Sequence, residues 1–445
     1  MLNLSPNQTA EIIVTGADGN GGGIAYADDG RVIFVSGALP GERVRVLPFR
    51  VSKTVARTNA IEILSPSPER VTPACRHFPG CGGCDYLHAS YAEELRQKLE
   101  RVNDAFSHIG GLSLCAEKIL SCDSGREGSR NKAVFNIDPN GSIGFYRERS
   151  HEVVYIKRCL LQSDFANEIL RPIRKWIRDT RISIYNEDSG KGLLRKVFTR
   201  GTQIAIVAKG KPNCAEELCN RLTAAVGENY NLMWNDNHSK GNTVFGDKFY
   251  RIYGAEPQHT MLGVDLRVSP SAFLQVNTPQ AEKLYKIAID FAEVLPGESV
   301  LDLYCGVGVI TLLIARKCAR VTGVEISAAA IQSAKENAAL NGITNAEFIV
   351  GDAAKTPLPD ADVIFTDPPR KGLDSAVIAA IADSPANRVV YISCDPATLA
   401  RDLRLFAEYG FSAVQAVCVD MFPGTRHVES VVSLRRLGVT RPSRT

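Results

Sequence analysis

Cys394 stands in YISCDPATLARDL (391–403), where an apolar strand ends and Asp395-Pro396 suits the start of a helix. A thiol at such a junction lies at the edge of a sheet, where it can act as a nucleophile. The inert alternative is one more buried cysteine, a common fate of free thiols. Glu429 lies in FPGTRHVESVVSL, at the entrance of a final apolar strand, with His427, which could also serve as a base, two residues before it. Taken alone it is a strand-edge charge. Beside Cys394 it completes a nucleophile and base pair, in which a thiolate adds to a substrate and a carboxylate later removes a proton so that the sulfur can leave.

The elements that must position this pair begin near residue 295. SVLDLY, VTGVEIS, AEFIV, ADVIFTD and RVVYIS alternate with helical stretches such as AAAIQSAKENAALNG, the pattern of right-handed crossovers and a doubly wound parallel sheet. Asp302, Glu325, Asp352 and Asp367 close four consecutive strands and so line one crevice, where such sheets bind ligands. Gly306 and Gly308 let the backbone approach that ligand. The dinucleotide fingerprint needs a third glycine, but Thr311 occupies its place, which favours a ligand without a pyrophosphate. Glu325, 17 residues beyond Gly308, stands where an acid can accept hydrogen bonds from both hydroxyls of a ribose. The constellation resembles the S-adenosylmethionine-dependent methyltransferases.

Asp367-Pro368-Pro369-Arg370 ends the fourth strand, and methyltransferases of exocyclic amines often carry an aromatic where Arg370 stands. Arg370 argues against amine methylation. Carbon 5 of uracil is a poor nucleophile until a thiolate adds at carbon 6, which is the chemistry Cys394 and Glu429 supply. SCDPATLARD, DMFPGTRHVES, TDPPRKG and FLQVN (273–277) together resemble the motifs of the RNA 5-methyluridine methyltransferase family. The resemblance implies Cys394 as nucleophile and Glu429 as general base. It implies that Gln275, Tyr304, Gly306, Glu325, Asp352 and Asp367 hold S-adenosylmethionine, with Asp367 also facing the uracil. Val309 departs from the polar residue that many relatives place there.

CRHFPGCGGCDYLH sets Cys75, Cys81 and Cys84 with two glycines between the last two. That spacing suits several thiolates around one metal centre, and by itself leaves a structural zinc site open. The family resemblance implies a 4Fe-4S cluster, with Cys159 in GFYRERSHEVVYIKRCLLQ as fourth ligand. The remaining cysteines read as core or surface thiols.

The chain of 445 residues is too long for one core. Residues 1–65 read as short strands of a small oligonucleotide-binding-type β-barrel, which the resemblance makes a TRAM domain that binds RNA. Residues 66–265 hold the cysteine motif and an α+β middle domain, and 266–445 the Rossmann-like methyltransferase domain. The net charge is only +3, yet Arg43, Arg45, Arg50, Lys53 and Arg57 cluster in 41–57, and four arginines mark the tail LRRLGVTRPSRT. Such local stripes fit phosphate contacts. No signal peptide or long apolar run is present, so a cytoplasmic monomer is expected, with the twelve cysteines serving ligation or catalysis. The reading as a whole is methylation of carbon 5 of one uridine, flipped out of folded RNA. The domain set favours 23S ribosomal RNA over transfer RNA, and the rival class is a non-catalytic RNA chaperone or iron-sulfur sensor.

Overall fold

The computed structural model describes residues 5–241 and 243–438. Arg441 and Arg444 of the basic tail lie outside the described residues. Three sheets of six, seven and eight strands build the small β domain, the α+β middle and the doubly wound C-terminal domain that the sequence pattern predicts.

In the first sheet the long strands Arg43–Val51 and Val55–Ser65 pair antiparallel, flanked by Ala10–Ile13 on one side and Val32–Ser36 on the other. Alternation puts Ile33, Val35, Val44 and Val46 into one core with Ile12 and Val14. The basic stretch divides on folding. Arg45 pairs with Glu11 and Glu62, Glu42 is buried against Arg70, and Arg57 lies over the Phe34 ring.

The middle sheet runs Val153–Tyr155, Ile143–Tyr146, Lys132–Ile137, Leu194–Arg200, Gln203–Ala208, Asn231–Asp236 and Lys248–Tyr253. Helix Leu170–Thr180 presents Leu170, Ile173, Trp176 and Ile177 at helical spacing to a core shared with Phe135, Val197, Ile204 and Leu222 of helix Ala215–Val226 and the sheet.

Five parallel strands form the heart of the third sheet, in the order Ala346–Val350, Arg320–Glu325, Ser299–Leu303, Val363–Thr366 and Arg388–Ser393. Glu429–Arg436 adds antiparallel, followed by Phe411–Val419. Ser299–Leu303 sits where the strand order reverses, so the loops at the carboxyl ends part there and leave a crevice. Apolar clusters cover both faces, as a parallel sheet requires.

A segment from inside 66–265 joins this domain. Helix Tyr91–Asp104, capped by the Ser90 side chain and extended through Ala105–Ile109, buries Val102 and Phe106 with Leu403 and Phe406. Ile119–Leu120 then pairs in parallel with Phe411–Val419 as the eighth strand. No helix among the described residues is long and apolar enough to cross a membrane.

Candidate active site

Cys394 follows strand Arg388–Ser393, and Asp395 caps helix Pro396–Glu408 by accepting from the backbone N–H groups of Ala397 and Thr398, both at 3.0 Å. The cap and Pro396 fix where the strand becomes a helix, which leaves the half-buried thiol at the sheet edge. Ser393 pairs with Ser430 in the antiparallel ladder. Continuing that register one step sets Cys394 across from Glu429, although the two are far apart in sequence.

The electrostatics agree with this juxtaposition. Burial pushes the Cys394 thiol up to about 11, helped by the negative charges of Glu429 and Asp367 and opposed by Arg370. Glu429 is 3% exposed, and burial together with repulsion from Asp367 raises its carboxyl well above the usual carboxylate range. Asp367 is raised in the same way, by burial and then by Asp302. His427 Nε2 accepts from Arg370 Nη2 at 3.2 Å, and burial beside Arg370 and Arg426 holds its imidazole down to about 4. At neutral pH that ring is uncharged and a weak base.

The crevice takes its shape from the turn after Leu303. Tyr304, Gly306 and Gly308 all have left-handed φ, +64°, +56° and +88°. A Cβ on Gly308 would stand 3.1 Å from Ala334 Cβ and 3.3 Å from the Phe348 ring, whereas one on Gly306 would meet nothing within 4 Å. Gly308 therefore serves helix packing, and Gly306 faces open space. Glu325 Oε1 accepts from Ser327 N and Asp352 Oδ1 from Ala354 N, which orients both carboxylates at their strand ends. Gln275 is 2% exposed and its Oε1 has no hydrogen-bond partner among the described residues. Asp302 is turned inward to the Thr311 hydroxyl at 2.5 Å, and burial raises it to about 7. Acceptors dominate the crevice, so it fits a ligand bearing hydroxyls, amino groups and positive charge.

Two neighbouring cavities lie near Cys394. One, of about 600 Å³, lies between the N-terminal domain, the cysteine segment, the middle domain and the catalytic sheet. Arg57, Arg130, Lys132, Arg149, Arg370 and Arg426 line it against Asp18, Asp85 and Glu148, with Phe34 and Phe49 interleaved. The other, of about 450 Å³, contains Cys394, Arg101 and His108 and shares Asn20, Arg426 and His427 with the first. A basic channel with aromatic faces suits single-stranded nucleic acid.

Cys75, Cys81, Cys84 and Cys159 line one small cavity of about 60 Å³, with Phe145, Ile156 and Leu161 among its apolar walls. Burial raises the thiols of Cys81, Cys84 and Cys159, and Arg130 opposes the rise at all three. The wrap depends on Gly82, where a Cβ would stand 2.9 Å from Glu148 N. No group of three or more His, Cys, Asp or Glu among the described residues is placed to hold a single metal ion.

The pattern of motifs did not single out Glu94, Lys98 and Asp420, which form a buried ionic group beside the loop entering Glu429. In sequence, Glu94 and Lys98 look like an ordinary surface pair four residues apart on a helix, and Asp420 is 322 residues from Lys98.

Comparison with known proteins is consistent with this geometry. A methyltransferase-domain family matches residues 295–402, and a TRAM-domain family matches residues 5–60. The chain is 36% identical to an uncharacterized RNA methyltransferase of Clostridium tetani over 98% of both chains. It is 35% identical to another from Halalkalibacterium halodurans, covering 97% of this chain and 98% of that one. The crystal structure of Pyrococcus abyssi tRNA (uracil-54, C5)-methyltransferase in complex with S-adenosyl-L-homocysteine superposes with a TM-score of 0.77 at 26% identity, covering 95% of this chain and 99% of that one.

Proposed function

We propose, from the premise that this chain belongs to the RNA (uracil-C5)-methyltransferase family, that it methylates carbon 5 of a uridine through a covalent Cys394 adduct. One observation supports the reading: Ser393 pairs with Ser430, so the register continued one step puts Cys394 across from Glu429, and Cys394, Glu429 and Asp367 act on one another electrostatically.

S-adenosylmethionine supplies an electrophilic methyl group when bound, and Gln275, Tyr304, Gly306, Glu325, Asp352 and Asp367 are the residues proposed to hold it. The unpartnered Gln275 Oε1 and the strand-end carboxylates support that assignment. Cys394 Sγ adds to carbon 6 of the uracil and passes its proton to Asp367, one of the two carboxylates facing it, which leaves Glu429 unprotonated for the later step. Addition makes carbon 5 nucleophilic, and it takes the methyl group. Glu429 then removes the carbon 5 proton, the ring double bond re-forms, and the carbon-sulfur bond breaks. Glu429 is the better base than His427, whose low basicity leaves it to orient Arg370.

The target base must leave its stack to reach Cys394, and the basic channel is the surface that would hold the opened strand. The substrate proposed is 23S ribosomal RNA in the cytoplasm, in keeping with a chain that joins a TRAM domain to the cysteine motif. A transfer RNA substrate is the second reading, favoured by the name of the Pyrococcus abyssi enzyme. Cys75, Cys81, Cys84 and Cys159 are proposed to hold a 4Fe-4S cluster; their convergence on one apolar cavity supports it. Replacing Cys394 with alanine tests the enzyme reading. Methyl transfer is abolished while RNA binding persists; transfer at the original rate would reject Cys394 as nucleophile.

A further inference from the structure

Glu429 Oε2 is buried without a hydrogen-bond partner among the described residues. The position of the carboxylate is therefore set by the backbone, by the ladder pairing of Glu429 with Val419 and by the course of 420–428, the loop that closes this pair of strands. Few bonds lie within that loop, chiefly Thr425 N to Phe422 O.

Its anchors come from far away in sequence: Asp420 N donates to Leu120 O, and Gln280 Nε2 and Asn277 Nδ2 donate to the carbonyls of Asp420 and Met421, while the points up to Gly424 are held by helix Tyr91–Asp104 and the cysteine segment. Lys98 Nζ donates to Asp420 Oδ1 at 2.6 Å, to Phe422 O at 3.2 Å and to Glu94 Oε1 at 2.7 Å. Glu94 Oε1 also accepts from Gly424 N at 2.6 Å, and Arg126 Nε holds its other oxygen at 2.7 Å. Tyr91 OH donates to Asp420 Oδ2 at 2.8 Å. From the cysteine segment, Asp85 N donates to Gly424 O, and Asp85 Oδ2 accepts from Arg426 N.

The side chains of Lys98, Glu94 and Asp420 are fully buried. Burying one ammonium between two carboxylates is costly, and a well-packed apolar set is often at least as stable. What the ions add is geometry: the bonds that Lys98 and Glu94 make to the loop end at three different points, Asp420, Phe422 and Gly424.

We infer that Lys98, with Glu94 and Tyr91, forms a clamp of positioning residues that aims the Glu429 carboxylate at the carbon 5 proton of the bound uracil. The inference rests on the reading of Glu429 as base. Cys394 lies outside the clamp, on the strand and helix-cap junction of a different connection. Loosening the clamp therefore spares addition and methyl transfer but slows the last step, in which the carbon 5 proton passes to Glu429, the carbon 5 to carbon 6 double bond forms and the thiolate leaves. The methylated protein-RNA adduct then accumulates.

Lys98→Met and Tyr91→Phe test this in the full chain with ordinary uridine-containing substrate RNA and S-adenosylmethionine. Three quantities are read: turnover, the denaturation-resistant adduct, and binding of RNA and S-adenosylhomocysteine. Turnover falls roughly 10- to 100-fold in Lys98→Met and less in Tyr91→Phe, since small misplacements of a reacting group carry penalties of that size. Adduct rises in both variants, and ligand binding stays within about twofold. A defect confined to folding would lower turnover and adduct together, and that result overturns the inference. So does turnover within about twofold of the unaltered protein. Tyr91→Phe removes only one hydroxyl, so it carries the test if Lys98→Met is insoluble. Glu429→Gln is run alongside: adduct there without adduct in the clamp variants rejects the clamp, whereas normal turnover there rejects the base and the clamp with it.

Discussion

Resting Cys394 is a protonated thiol. Its surroundings hold it at about 11, chiefly by burial and then by the charges of Glu429 and Asp367. At pH 7.5 a group at that value is ionised in roughly one molecule in 3,000, against roughly one in 11 for an ordinary cysteine near 8.5. Only the thiolate reacts, but a more basic thiolate is the better nucleophile, so iodoacetamide should alkylate Cys394 roughly 15- to 30-fold more slowly than an unperturbed thiol of equal access. Mass spectrometry of the Cys394 peptide, from protein without RNA, gives the rate at each pH. The logarithm of the rate should climb with pH and show no plateau up to pH 10. In Glu429→Gln, above pH 9 where the native carboxyl is ionised, one raising charge is gone, so alkylation should be faster than in the unaltered protein. A plateau by pH 8.5, or no change in Glu429→Gln, would refute the placement of these groups. The mechanistic consequence is that sulfur becomes nucleophilic only as its proton moves to a carboxylate within the substrate complex.

Cys81→Ser should lower bound iron per chain, measured by elemental analysis, whereas Cys305→Ser, buried beside the crevice turn, should leave iron unchanged. Gly308→Ala forces a side chain into a left-handed φ and against Ala334 and Phe348. A loss of about 1–2 kcal/mol in unfolding free energy is expected, with weaker S-adenosylhomocysteine binding by calorimetry. Asp302 is raised to about 7 by burial, so its contribution to stability is present below its unfolded value near 3.9 and is lost as pH rises through 7. The melting temperature of Asp302→Asn, relative to the native chain, should accordingly improve from pH 5.5 to pH 8.5; a pH-independent difference would contradict this.

The parts of the site that could be read from sequence share one property: they lie at strand ends of a doubly wound sheet, whose topology alone gathers them on one edge. Glu325, Asp352 and Cys394 were legible for that reason, and Glu429 because the strand after it was. Asp302 was legible as a strand-end acid, yet it turns inward to Thr311, a contact that depends on side-chain packing. The basic run 41–57 fits phosphate contacts as a stretch of sequence, but on folding its members part: Arg45 is taken up by Glu11 and Glu62, and Arg57 lines the cleft. The Lys98 clamp was invisible because the partners lie in segments whose proximity follows from the docking of helix Tyr91–Asp104 on a distant domain. The order of the middle sheet was likewise beyond the pattern of apolar residues, since a mixed sheet carries no single periodicity that fixes strand order.

The most direct measurement uses RNA made with 5-fluorouridine, whose fluorine Glu429 cannot remove as a proton. Protein and S-adenosylmethionine are incubated with fluorinated 23S ribosomal RNA and transfer RNA transcripts, and complexes that survive denaturation are counted. The account predicts a donor-dependent adduct with one of the two RNAs, absent in Cys394→Ala, which fixes the chemistry and the substrate together. An adduct that persists in Cys394→Ala, or none with either RNA from protein of full iron content, would contradict it.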